Sequence, residues 1–142
     1  MITQDAALRK KVNSAVEIYC KKIAALGVVA AVAAYRDSDD WLTELKQYLR
    51  SNRDFVTNFI ESRLPQIRYT VPRATYLSWL DLSALNLSPG PYRFLLDKAR
   101  VALSNGEDFG EAGKGFLRLN FACSRRTLQD GLERIAGALN SH

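Results

Sequence analysis

Apolar residues near the start of the chain recur at steps of three and four: Val12, Ala15, Val16, Tyr19, Cys20 and Ile23, with Arg9, Lys10, Lys11 and Lys22 between them. That period marks one face of an α-helix over residues 5–23. Beyond Gly27, a candidate interruption, residues 28–35 read as a second helix, alanine-rich and apolar nearly all round. Such an element usually sits beneath other structure. Asp37-Ser38-Asp39-Asp40 supplies a polar break and capping oxygens. A long helix over 41–64 follows, with Leu42, Leu45, Leu49, Val56, Phe59 and Ile60 on its apolar face and Ser51-Asn52 as a point of bending. Pro65 ends it, because proline disfavours the helical conformation in the residue before it.

From Pro65 the period shortens. Residues 67–69 and, more clearly, 75–80 read as strands, and 92–103 as a helix with Phe94, Leu95, Ala99, Ala102 and Leu103 inward. Asn105-Gly106 and Gly110, Gly113 and Gly115 fall in a flexible, turn-rich connection. A strand over 116–121 comes next. Thr127-Leu128-Gln129-Asp130 resembles a capping box opening a final helix, with Leu128, Leu132, Ile135, Ala136 and Leu139 inward. Helices first, then a small β-α-β-α layer, predict an α+β fold with a small mixed sheet of three or four strands, covered by helices on one side. Three regions follow: helical residues 1–36, the long connecting helix of 37–64, and a small domain over 65–142.

The strand at 116–121 holds the most telling residue. Alternation places Phe116, Arg118 and Asn120 on one face and Leu117, Leu119 and Phe121 on the other. Arginine does not shed its charge and is rarely buried unpaired, so Arg118 either reaches solvent or meets an anion.

Charge adds little to this picture. The 142 residues carry 20 Lys and Arg against 15 Asp and Glu, a net +5, with no block of one sign. No basic stripe interleaves with aromatics, so nucleic acid is not an expected partner. No apolar run approaches the ~18 residues of a membrane span, no signal-peptide core opens the sequence, and a cytoplasmic setting is the default expectation. Cys20 and Cys123 have no C-x-x-C spacing and read as small buried hydrophobes. The only histidine is His142, which leaves a His-containing metal site or a Ser-His-Asp arrangement without its parts.

Other candidate chemistry is weak. The run 109–115 has the glycines of a phosphate loop but lacks G-x-x-x-x-G-K-[ST] spacing, and it precedes a strand rather than a helix. Asp81, Asp97, Glu107, Asp108 and Glu111 form no pair spaced for acid–base work. Tyr76 and Trp79 suit a core or rim better than a stacking platform. Ser124-Arg125-Arg126 stands where backbone N–H groups would attract an anion, though solvated surface accounts for it better, a basic pair at that end being unhelpful to the helix itself.

Three blocks carry a family likeness. They are Ala33-Ala34-Tyr35 with Trp41-Leu42, Leu45, Tyr48-Leu49 and Asn52; then the run from Pro72-Arg73-Ala74-Thr75-Tyr76 to Leu77-Ser78-Trp79-Leu80-Asp81; and Gly106, Phe109-Gly110, Gly113, and the run from Gly115 through Arg118 to Cys123, with Arg125. Together they resemble the C-terminal part of fold-type I pyridoxal-phosphate enzymes, the class I/II aminotransferase superfamily, in its cystathionine β-lyase-like C–S lyase branch. Two positions depart from the pattern: Arg73, where the family usually has an acidic residue, and Ser124, where it often has proline.

The resemblance implies an aminotransferase-type small domain in which Arg118 grips the α-carboxylate of an amino-acid substrate, with Asn120 as a possible support. It covers only roughly the last third of such an enzyme. The part carrying the cofactor lysine and most of the phosphate cradle is missing, and Lys10, Lys11, Lys21 and Lys22 sit in no matching motif. It therefore implies pyridoxal phosphate for the complete enzyme, none held by this chain alone, and no catalytic residue here. Residues 1–36 would lie against the missing large domain or be covered by self-association. The alternative is a non-catalytic folding or interaction module derived from such an enzyme.

Overall fold

The computed structural model describes residues 4–19 and 24–142. They divide into two compact units, the described residues up to Thr43 and the unit Glu44–His142.

In the first unit, α1 spans Ala6–Tyr19 and α2 spans Ala25–Asp37. Asp5 caps α1, its carboxylate accepting from the N–H groups of Ala7 and Leu8 at 2.8 and 3.1 Å. Gly27 falls within the first turn of α2 and does not break it. Every residue of α2 is exposed, Leu26 at 83% and Tyr35 at 90% among them. The remainder of the 5–23 expectation, Cys20 included, lies outside the described residues.

Helix α3, Asp39–Arg63, is continuous through Ser51-Asn52. Its buried face is Asn52, Val56, Phe59 and Ile60, the i, i+4, i+7, i+8 stripe of a core-facing helix. Four short strands follow: β1 Arg68–Tyr69, β2 Leu77–Asp81, β3 Ser104–Asn105 and β4 Phe116–Asn120. Their order in the sheet is β1-β2-β4-β3. All three ladders are antiparallel. The α+β class and the small helix-covered sheet agree with the sequence expectation, whereas the sheet is antiparallel throughout rather than mixed. The central β2 and β4 are joined by connections long enough to reverse direction, and neither edge strand exceeds two residues.

Between β2 and β3 the chain forms α4, Pro91–Phe94, with proline in its first turn where the missing N–H is no loss. It continues as a π turn, Leu95–Ala99, and stops at Arg100, whose φ of 56° is left-handed. The helix expected over 92–103 thus ends about a turn early, and residues 100–103 lead without regular structure into β3. The last helix, α5, covers Arg125–Asn140. Its N-cap is Ser124, whose Oγ accepts from the Thr127 N–H at 3.2 Å, so the helix starts one turn before the expected capping box.

One face of the sheet carries the core. Ser78, Leu80, Leu117 and Leu119 are buried against Val56, Ile60 and Leu64 of the α3 end, Phe94 and Leu95, and Leu128, Leu132 and Ile135 of α5. Truncating any of these large aliphatic side chains to alanine removes about 2–5 kcal/mol. The opposite face is left open for Arg118.

Candidate functional site: the open face of the sheet

Register fixes which side chains meet on the open face. Leu77 pairs with Asn120, Trp79 with Arg118 and Asp81 with Phe116, while Ser104 pairs with Arg118 from the other side. Cross-strand partners point the same way, so Trp79, Arg118 and Ser104 form one row across three strands. Hydrogen bonds from the Leu82 N–H to Gly115 and from the Phe121 N–H to Tyr76, both 3.0 Å, extend the central ladder at each end.

Arg118 is partly buried within this row. Its Nη2 donates to Ser104 Oγ at 3.2 Å, and its guanidinium carbon lies 4.4 Å from the centroid of the Phe109 ring. Trp79 stacks on Phe116 and meets Phe109 edge-on, both at 5.7 Å between centroids. The aromatic wall limits rotation of the guanidinium, and a cation over a ring gains about 0.5–2 kcal/mol depending on solvation. Among the described residues no carboxylate lies within ion-pair distance of Arg118. Of five N–H donors, one is used by Ser104. A pre-oriented, incompletely satisfied arginine on a rigid strand is suited to an incoming carboxylate, which it meets through two parallel hydrogen bonds.

Asn120 shares the face but turns toward its own backbone, its Oδ1 accepting from the Ala122 N–H at 2.8 Å. Asp81 is engaged elsewhere: it pairs with Arg68 at 2.7 Å and accepts from the Ser83 N–H at 2.9 Å. Burial alone would raise its carboxyl, but Ser83 and Arg68 outweigh burial and hold it below the ordinary range. Cys123 is a free thiol pushed up by burial, a poor nucleophile. No group of three or more His, Cys, Asp or Glu among the described residues is placed to hold a metal, and no described helix is long and apolar enough to cross a membrane.

The glycine-rich connection is a spacer rather than an anion cradle. It forms two 3-10 turns, Gly106–Phe109 and Glu111–Gly113, that deliver Phe109 to the Arg118 guanidinium. Ser104 and Phe109 are the neighbours that sequence reasoning missed as partners of Arg118. Their signal was weak, since a two-residue strand shows no alternation. Arg125, singled out beside an anion-binding helix end, instead donates to Ser51 Oγ at 2.7 Å and lies 4.4 Å over the Phe55 ring.

A small helix-backed antiparallel sheet following long helices is an aminotransferase-type fold, and the PLP-bound C-S lyase from Staphylococcus hominis superimposes with a TM-score of 0.84 at 31% identity, over 97% of this chain and 36% of that one. The chain belongs to the class I and II aminotransferases, whose family description matches residues 1–135. It is 43% identical over 117 residues to the cystathionine beta-lyase PatB of Bacillus subtilis, covering 82% of this chain and 30% of that protein. It is 35% identical, again over 117 residues, to the protein MalY of Escherichia coli, covering 82% and 29%. The chain therefore spans about a third of the length of the relatives it matches.

Proposed function

We propose that this chain is the C-terminal, substrate-gripping part of a pyridoxal-phosphate-dependent aminotransferase or cystathionine β-lyase-like enzyme, with Arg118 binding the α-carboxylate of an amino-acid substrate. The observation that carries this reading is the state of Arg118: held by Ser104 and Phe109 on a strand, with no carboxylate of its own. A carboxylate fixed there orients the substrate's Cα–H bond, and orientation of that kind accounts for much of an enzyme's rate.

Pyridoxal phosphate supplies the electron sink in enzymes of this kind. The described residues do not by themselves fit a site for it. Lys10, Lys11, Lys46, Lys98 and Lys114 are all exposed, whereas a lysine activated for that chemistry needs a desolvated setting. Lys21 and Lys22 lie outside the described residues. On this reading the cofactor lysine belongs to the large domain of the complete enzyme, as the family resemblance implies, and residues 1–36 are the segment that docks on it. The fully exposed apolar surface of α2 supports that assignment.

The test is a chimera in which this chain replaces the matching third of the Bacillus subtilis lyase. It should release pyruvate and ammonia from cystathionine or, if the chemistry is transamination, form the corresponding keto acid. Arg118→Lys in that chimera should lower kcat/KM by roughly 10–1000-fold, about 1.4–4 kcal/mol, because an ammonium does not reproduce the planar fork. An unchanged kcat/KM in a folded, cofactor-loaded chimera removes the assignment. The isolated chain mixed with pyridoxal phosphate should retain none of it on any single lysine through dialysis and should release neither pyruvate nor ammonia.

A further inference from the structure

A cavity of about 340 Å³ opens between α3 and the loop that precedes β2, apart from the Arg118 face. Lys46, Arg50 and Arg53 line it from α3 at i, i+4 and i+7, and Arg73 faces them from the loop. No carboxylate lines it. Arg53 is partly offset by Asp54 at 2.7 Å, while Lys46, Arg50 and Arg73 meet no carboxylate among the described residues. Like charges one helical turn apart repel, so this arrangement is unfavourable without an anion between them. The opposite wall is strained as well. Thr75 has a φ of 67°, left-handed for a β-branched residue, and such conformations persist where surrounding structure or a ligand over-determines them.

The cavity is not uniformly polar. Leu49, Pro72 and buried Phe121 form an apolar floor, with Tyr76 at the edge. Lys46, Arg50 and Arg73 are themselves exposed, so the floor adds apolar contact for a ligand's body while the cations meet an anion at a partly solvated rim. Two arginines offer planar forks and the lysine a point charge, the combination that suits phosphate oxygens. The volume exceeds what a bare phosphate needs, and the floor has no use for one.

We propose that this cavity is a binding site for a small phosphomonoester with an apolar body, its phosphate held by Arg50, Arg73 and Lys46 and its body resting on Leu49, Pro72 and Phe121. None of these residues belongs to the Arg118 site, so the two anion sites stand or fall separately.

Calorimetric titration of the full chain with phenyl phosphate, at constant ionic strength set by chloride, tests this. One saturable site is expected. Arg50→Gln and Arg73→Gln should each weaken binding about tenfold, the loss of one charge-assisted contact. Arg134→Gln, a paired surface arginine on α5, should leave binding unchanged. Inorganic phosphate should bind several-fold more weakly, and benzyl alcohol should not saturate. In the wild-type chain, amide shifts caused by phenyl phosphate should centre on residues 46–53 and 73–76, a readout that does not depend on any variant folding. Absence of a saturable site, equal affinity for inorganic phosphate, indifference to both substitutions, or shifts centred elsewhere would each overturn the proposal.

Discussion

The side-chain amide of Asn52 donates to the Phe121 carbonyl at 2.8 Å and to the Cys123 carbonyl at 3.0 Å, from a position on α3 with no solvent exposure. Two residues of otherwise irregular backbone are thereby fastened to the long helix just after β4. Tyr48, one turn earlier, reinforces the join: its hydroxyl donates to the same Cys123 carbonyl at 3.1 Å and accepts from the Arg125 N–H at 2.9 Å. The exit of β4 and the entry of α5 are thus set by polar groups on one helix face.

Asn52→Leu should destabilise the chain by about 2–4 kcal/mol, since it takes the amide donor from the buried Phe121 carbonyl and leaves the Cys123 carbonyl with Tyr48 alone. Asn52→Asp should be at least as severe, because it turns an acceptor-only group toward acceptors. Urea unfolding followed by far-UV circular dichroism measures this. A loss below about 0.5 kcal/mol, the range of an ordinary surface change, would mean the join is not structural.

Asp81 gives a pH dependence of known sign. Its carboxyl is lower in the folded chain than the ordinary value near 3.9, so the stability it contributes is present above that value and is lost as pH falls through the folded one. Asp81→Asn should therefore lower stability at pH 7 and flatten the acid limb of the stability curve below about pH 4. Melting temperatures of both proteins between pH 7 and pH 3 should converge on acidification. Curves that stay parallel to the lowest pH would show that another carboxylate governs the limb.

Gly106 and Gly113 are packed against one another. A Cβ at Gly106 would run into the Gly113 and Phe116 carbonyl oxygens, backbone atoms that do not give way. Gly106→Ala should cost on the order of 2–4 kcal/mol through that overlap. In the chimeric enzyme it should also reduce kcat/KM more than its effect on stability explains, because it displaces the turns that bring Phe109 to Arg118. Wild-type stability for this variant would contradict the close approach.

The exposed surface of α2 predicts self-association of the isolated chain. Light scattering should give a mass that rises with concentration, and Leu26→Lys with Val29→Lys should bring it toward the monomer without lowering the unfolding midpoint, since neither residue is buried. Addition of the large-domain portion of a relative should compete with self-association. A monomeric mass at all concentrations would mean that this apolar helix is tolerated in water unaided.

How far the fold is legible in the sequence varies with the length of each element. Long periodic stretches state themselves: α3 and α5 carry several turns of apolar spacing, and β4 alternates Leu117 and Leu119 with Arg118 and Asn120, whereas β2 buries Ser78 and exposes Trp79 against the apolar pattern. Strands β1 and β3, two residues each, are too short to show a period and exist because β2 and β4 present partners for them. The helix over 92–103 is overestimated for a related reason. Ala102 and Leu103 continue the apolar spacing, but Arg100 leaves the helical region, a tertiary choice that local pattern does not encode.

Asn52 was legible in part. It lies in phase with Val56, Phe59 and Ile60, which marks it as a polar group on a buried face. Reading it as a point of bending overlooked that phase. Arg118 stood out because a fixed charge interrupts an apolar strand, whereas Ser104 and Phe109 reach it only through pairing and turns that no local signal announces.

The register of Ser104 against Arg118 has a further consequence for amide hydrogen exchange. Strand β3 is an edge of two residues, and its hold on the sheet includes the side-chain bond from Arg118 to the Ser104 hydroxyl. An edge this short opens easily, so its amides should exchange far faster than those of β4, which is flanked on both sides. An anion that locks the guanidinium stabilises the closed edge by the same free energy with which the closed edge favours the anion. Occupancy at Arg118 would then be readable as slowed exchange at Ser104 and Asn105, in a strand the ligand need not touch.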